Sequence, residues 1–180
     1  NPIPYENYDV VVLGDSITEG LGTSYKNDYV SLLRSHTGVK IRNSGIRDDQ
    51  TSDALLRMEE DVFVYDPEIL IIFLGGNDFI HRVPVEKTFE NLKEMISLSQ
   101  DKDIPVLLVG VQGGLFFDLY EKHFISLAKE TDVVFVPNVL EGIIGTFKNM
   151  KDPLHPNDKG HEIIYQRIAP ELDKLLEIFY

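Results

Sequence analysis

The sequence predicts an α/β protein, a three-layer α/β/α sandwich around a five-stranded parallel sheet. Three observations carry this. Five short runs rich in Val, Ile, Leu and Phe recur along the 180 residues, and they are continuously apolar rather than alternating, as strands covered on both faces are. Segments with helical spacing of apolar residues lie between them. No internal repeat, low-complexity tract or linker breaks the alternation, so residues 1–180 read as one domain.

The first strand is Val10–Leu13, which stops at Gly14 and presents Ser16 two residues later. Tyr29, Leu32 and Leu33 give Asp28 to Ser35 a helical face, and Gly38 follows as a stop signal. The second strand is Val39–Asn43 and the third Ile69–Leu74. A stripe of Val85, Phe89, Leu92, Met95 and Ile96 predicts a long helix bracketed by Pro84 and Pro105. Val106–Val111 is the fourth strand, Phe117, Tyr120, Phe124 and Leu127 mark another helix, and Val133–Val136 is the fifth strand. A last helix is predicted to bury Ile164, Ile168, Leu172, Leu175 and Phe179. With right-handed crossovers these elements give a flavodoxin-like strand order, 2-1-3-4-5. The first and third strands are then neighbours at the switch point, where such sheets bind ligands beyond the carboxyl ends of the strands.

Composition narrows the function classes. Seventeen basic against thirty acidic residues leave a net charge of −13, which disfavours nucleic acid and anionic membrane surfaces, because phosphate binding needs clustered Lys and Arg. No apolar run approaches the ~20 residues that span a bilayer, so no stable membrane insertion is expected. The absence of cysteine removes disulfides, thiolate nucleophiles and Cys-ligated zinc together. The chain opens Asn-Pro-Ile-Pro, which fits either a cytoplasmic protein or one exported after loss of an N-terminal segment.

A serine at a strand end means little without a base, an orienting acid and an oxyanion trap. The 2-1-3-4-5 order supplies a trap: Gly75-Gly76-Asn77-Asp78 follows the third strand and faces Ser16 across the crevice. The side-chain NH₂ of Asn77 can reach an oxygen that turns negative when Ser16 attacks a carbonyl, and one such donor is worth roughly 2.7–4 kcal/mol to the transition state. The other parts lie in Asp152-Pro153-Leu154-His155-Pro156-Asn157. Three-residue spacing on a loop lets Asp152 reach Nδ1 of His155 and leaves Nε2 to take the serine proton. Pro156 keeps His155 out of helical conformation, and Asn157 is a candidate cap for the last helix. Each piece alone has an ordinary reading, as a turn or a cap. Their joint placement at the correct strand ends does not.

Gly14-Asp15-Ser16-Ile17, Gly75-Gly76-Asn77-Asp78 and Asp152-x-x-His155-Pro156 together resemble three of the sequence blocks of the GDSL/SGNH hydrolase family, over essentially the whole chain. Within it the chain is most similar to the bacterial thioesterase I, lysophospholipase and arylesterase branch. The resemblance implies the SGNH hydrolase fold, with Ser16 as nucleophile, His155 as general base and Asp152 as its orienter. It implies an oxyanion hole of the Ser16 backbone N–H, Asn77 and a backbone N–H from a further block. Relatives near this branch read Asn-x-Gly-x-x-Gly there, with the second glycine donating. Here Asn43-Ser44-Gly45-Ile46-Arg47-Asp48-Asp49 places Asp48 at the donating position, with Gly45 shaping the turn and, with Gly76, expected against substrate. Asp tolerates left-handed backbone better than most residues, and its carboxylate must point away from the oxyanion or pair with Arg47.

The implied activity is a serine esterase that cleaves small-molecule carboxylic esters and thioesters of acyl, aryl or lysophospholipid type through an acyl-enzyme, with no cofactor and no metal. A carbohydrate O-acetylesterase of the same family and a non-catalytic binding module on this fold are the alternatives. A two-metal phosphoesterase needs converging histidines and carboxylates, and the strand ends offer too few. Asp15 is read as fixing the Ser16 turn through backbone hydrogen bonds, and His81 as a solvated loop residue beside the crevice. His36 is assigned to a helix end where a cation suits the dipole, and His123 and His161 to structural or surface roles. The segment Gly113 to Phe117 reads equally as an acyl-pocket wall or as the start of a core helix.

Overall fold

Two stretches of pure hydrocarbon side chains organise the molecule. The computed structural model describes residues 6–111 and 117–179, the latter without the side chains of 117–119. Strand β1 (Val10–Gly14) and strand β3 (Ile69–Phe73) lie side by side, in parallel and in register from Val10 against Ile69 to Gly14 against Phe73. Every residue of both is buried. At roughly 1.5–3 kcal/mol for each buried Val, Leu, Ile or Phe side chain, this pair is the core of the sheet, and a charge at any of its apolar positions would break it.

Strands β2 (Ile41–Gly45), β4 (Val106–Val109) and β5 (Val134–Val136) complete a parallel sheet in the order β2-β1-β3-β4-β5. The chain leaves β1 for β2 on one side and returns to β3 on the other, so the switch point falls between β1 and β3, as predicted. Helix α2 (Tyr29–Thr37) packs with α8 (Asp158–Leu176) on one face. On the other, α6 (Val85–Gln100) packs against both α3 (Thr51–Leu56) and α7 (Phe117–Thr131).

The boundaries differ from the sequence reading where apolar character and pairing part company. Strand β2 starts two residues later than expected and runs into the polar Arg42-Asn43-Ser44, because its register is set by β1, Val10 facing Ile41. It is an edge strand, so only half of its side chains need an apolar environment. Strand β4 stops at Val109 rather than Val111, and β5 begins at Val134. Phe179, expected in the last helix's buried stripe, lies past the end of α8 and is partly exposed. Short helices that no periodicity announces, α1 (Ser16–Glu19), α4 (Met58–Asp61) and α5 (Gly76–Ile80), stand at or behind the carboxyl end of the sheet. No helix among the described residues is long and apolar enough to cross a membrane.

Candidate active site

The end of β1 is fixed by steric necessity. A side chain at Gly14 would come within 2.0 Å of Thr18 Oγ1, and one at Gly45 within 2.3 Å of the Glu19 backbone nitrogen. The end of β1 thus presses against the Thr18 side chain of α1, and the end of β2 against the backbone of α1. Asp15 caps that helix, accepting from the Ile17 N–H at 3.0 Å. Its carboxyl is buried and desolvated, which pushes its pKa up to about 6. Ser16 is consequently the first residue of α1, nearly enclosed, at the floor of a cavity of about 230 Å³.

His155 enters the same cavity from the loop before α8. Its Nδ1 donates to the Asp152 carboxylate, with both oxygens in reach at 2.8 and 2.9 Å. One of those oxygens also accepts from the backbone N–H groups of Leu154 and His155, each at 2.9 Å. These bonds, with Leu154 foremost, hold the Asp152 carboxyl down to about 2, so it stays ionised. The loop is closed by Lys151 N–H donating to His155 C=O at 2.8 Å and by a bridge between Met150 and Pro156. Asn157 caps α8 through Lys159 and Gly160 N–H, as expected, and its NH₂ ties back to the Lys148 and Met150 carbonyls. Gly22, with φ +97°, fits beneath because a side chain there would strike the Pro156 carbonyl at 2.6 Å.

Facing these groups is the loop after β2. Asp48 lines the cavity and has φ +65°, a left-handed conformation that costs a residue with a Cβ roughly 1–2 kcal/mol. Arg47 does not pair with it but reaches Glu19 at 3.7 Å. Asp49 is buried and bound to Arg57 Nε at 2.7 Å. Burial raises its carboxyl while Arg57 pulls it back down. Asn77, second residue of α5, lines the cavity and donates one amide hydrogen to the Asp49 carbonyl at 3.0 Å, its other hydrogen having no partner among the described residues. A hydroxyl, an imidazole oriented by a carboxylate and a set of N–H donors around one cavity are the parts of acyl-transfer chemistry.

Comparison with known proteins gives the family of the chain. The model of the GDSL-like lipase/acylhydrolase family covers residues 12–163. The chain belongs to this family. It is 29% identical over 182 residues to an arylesterase of Vibrio mimicus, covering 93% of this chain and 89% of that one. It is 26% identical over 178 residues to esterase TesA of Pseudomonas aeruginosa, with the same coverage. A crystal structure of TesA superposes with a TM-score of 0.87 at 25% identity, over 92% of this chain and 98% of the other. The protein is therefore an ester-hydrolysing enzyme with the sheet and flanking helices of the GDSL hydrolases.

Other residues of this GDSL chain sort as follows. Gly76 lines the cavity, but Gly45 does not; its missing side chain serves the contact with α1 instead. Asp78, quoted in the sequence only as part of a motif, is 1% exposed and accepts from Thr51 N–H and Oγ1 at 2.9 and 2.5 Å and from Thr88 Oγ1 at 3.2 Å. It bolts α3 and α6 to the turn that carries Asn77. Arg57 was missed altogether, since an arginine among acidic residues reads as a solvated helix face. His81 is exposed and lies outside the cavity lining. His36, near the end of α2, hydrogen-bonds Asp173 of α8 at 2.9 Å and Tyr165 Oη at 3.2 Å, so its contacts tie α2 to α8. His161 is fully buried, accepts from the Tyr29 N–H at 3.1 Å and is pushed down to about 4 by desolvation. The His123 ring lies tilted against Phe89, with centroids 4.9 Å apart. Among the described residues no three His, Asp or Glu side chains converge as a metal-holding group. Of the segment Gly113 to Phe117, residues 113–116 and the Phe117 side chain lie outside the described residues.

Proposed function

We propose that this enzyme hydrolyses carboxylic esters and thioesters of small apolar acyl or aryl groups through a covalent acyl intermediate on Ser16. The observation that carries the reading is the Asp152–His155 pair at 2.8 Å on the rim of the cavity that Ser16 floors. With Nδ1 engaged, Nε2 is the ring's basic nitrogen. It removes the Ser16 hydroxyl proton as Oγ attacks the carbonyl carbon, and Asp152 stabilises the imidazolium that forms. The carbonyl oxygen, now negative, is held by the Ser16 and Asp48 N–H groups and the free hydrogen of Asn77. Collapse expels the alcohol or thiol, protonated from His155. Water then repeats the sequence and releases the acid. Among the described residues no hydrogen bond joins Ser16 to His155, and such bonds commonly tighten only when substrate is present.

Phe79, Ile80, Leu140, Ile144, Pro153 and Leu154 wall the cavity. That lining suits an acyl chain or an aromatic ring, and it offers the hydroxyls of a sugar few partners. It supports acyl, aryl or lysophospholipid esters over carbohydrate O-acetyl groups. The names of the Vibrio and Pseudomonas relatives agree with that choice. The test is turnover of p-nitrophenyl esters of increasing chain length by the wild type and by Ser16→Ala. Ser16→Ala is expected to abolish turnover with a thermal melt unchanged to about a degree or two, because the serine is a small side chain at a cavity surface. Unimpaired turnover in the variant would sink the assignment.

A further inference from the structure

Arg57 lies between α3 and α4 with its side chain 13% exposed, and neither the mechanism nor the core uses it. Its donors go to four places. Nε binds the Asp49 carboxylate at 2.7 Å, and one terminal nitrogen binds Asp61 at 3.0 Å. The other terminal nitrogen donates to the Ser44 carbonyl at 2.9 Å and the Gly14 carbonyl at 3.2 Å. One planar group thus ties down the backbone just before Asp15 and Ser16, the end of β2, and the residue after Asp48.

Asp49 is the centre of this arrangement. Its carboxylate is held by Arg57, its carbonyl accepts from Asn77 Nδ2 at 3.0 Å, and its N–H closes a turn onto Ile46 at 3.3 Å. Asp48, immediately before it, sits at φ +65°, where residues with a Cβ persist only if their surroundings over-determine them. Asp48 is itself exposed, and what surrounds the turn is the anchored Asp49.

We propose that the largely buried Arg57–Asp49 pair is the positioning device of the oxyanion hole. It holds Asp48 in its left-handed turn so that the Asp48 N–H faces the cavity, and through the Asp49 carbonyl it sets the Asn77 amide. The proposal rests on the reading of Asp48 and Asn77 as oxyanion donors. Arg57 and Asp49 touch no substrate; they act through those two residues. Donors misplaced by an ångström lose most of their effect on a transition state, so kcat should carry the signal and KM little of it.

Asp61 provides the control, because it shares the same guanidinium without touching the Asp48 turn. The experiment measures kcat, KM and melting temperature for Asp49→Asn, Asp61→Asn, Asp48→Gly and the double variant Asp48→Gly/Asp49→Asn on p-nitrophenyl butyrate. Asp49→Asn is expected to lower kcat about tenfold or more with KM within about twofold, while Asp61→Asn stays within about twofold in kcat. A glycine at 48 adopts the turn without help, so Asp49→Asn should cost only about threefold or less in the Asp48→Gly background. A merely structural ion pair would lower the melting temperature in both single variants without this split or this rescue. Equal kcat losses in Asp49→Asn and Asp61→Asn, or no relief from Asp48→Gly, would overturn the proposal. Should Asp49→Asn fail to fold, Arg57→Lys, which keeps the charge but loses the fork, is judged by the same kcat criterion. A Ser16-dependent esterase indifferent to Asp49→Asn overturns the proposal alone. Turnover that survives Ser16→Ala overturns the nucleophile reading and the proposal with it.

Discussion

On the His155 side of the cavity the hydrogen bonds that orient Asp152 and His155 come from residues 151–155, whereas on the Asp48 side they come from Gly14, Ser44, Asp49, Arg57 and Asn77. The first side is a loop folded on itself. Asp152 accepts from the backbone and the ring three residues on, and Asn157 ties the loop's end to α8. The second is assembled from the ends of three strands, and its groups meet only because the sheet brings them together. A local device depends on a few neighbouring dihedrals; a distributed one depends on the packing of the whole switch point. Damage to the first should therefore show in chemistry with the fold intact, and damage to the second in chemistry and folding together.

The largest effect follows from the local side. In the proposed mechanism Asp152→Asn keeps the size of the side chain but no longer fixes the tautomer or stabilises the imidazolium, so kcat should fall by roughly 10³–10⁴ with little change in melting temperature. Steady-state kinetics on a p-nitrophenyl ester measure this, and a loss of less than about tenfold would mean that His155 needs no orienter. The next effect tests the distributed side. Asn77→Ala removes one proposed oxyanion donor and its bond to the Asp49 carbonyl, so kcat should drop by roughly 10²–10³ and the melt should fall as well. A change confined to KM would make Asn77 a substrate contact only.

The smallest effect is in stability against pH, where the two sides respond in opposite directions. His161, in α8 behind the histidine loop, has its pKa pushed down to about 4. Between about 6.5 and about 4 the unfolded chain takes a proton on this residue that the folded protein refuses, so stability is lost as pH falls through that window. Asp15, capping α1, is pushed up to about 6. The folded protein keeps its proton while the unfolded chain has lost it, so stability is regained as pH falls from about 6 to about 4. His161→Gln should therefore remove the destabilising component alone. Its melting temperature, lower at pH 7 through lost packing, should fall less than that of the wild type between pH 7 and pH 5. An unchanged slope would show that His161 is not the group that titrates.

What could be read from sequence tracks the same division. Val10-Val11-Val12-Leu13 before Gly14, and Asp152-x-x-His155-Pro156-Asn157, carry their meaning within a few residues. Strand, turn and cap chemistry predicted the sheet order, the acid–base pair and the helix cap. Arg57 and Asp49 carry theirs across the sheet: 43 positions separate Arg57 from the Gly14 carbonyl it binds, and no local pattern encodes that contact. Strand β2 was misplaced by two residues for a related reason, since its register answers to β1 rather than to its own hydrophobicity. Gly45 was assigned to substrate because turn chemistry was all the sequence offered, whereas the contact that requires glycine is with the backbone of another element.

The central claim is that Ser16 is the nucleophile at the meeting point of these two sides. Treatment with a serine-directed fluorophosphonate, followed by peptide mass spectrometry and residual-activity assay, tests it most directly. A single adduct on Ser16 that grows in step with the loss of esterase activity is the predicted result. An adduct on another residue, or full activity in protein labelled at Ser16, would contradict it.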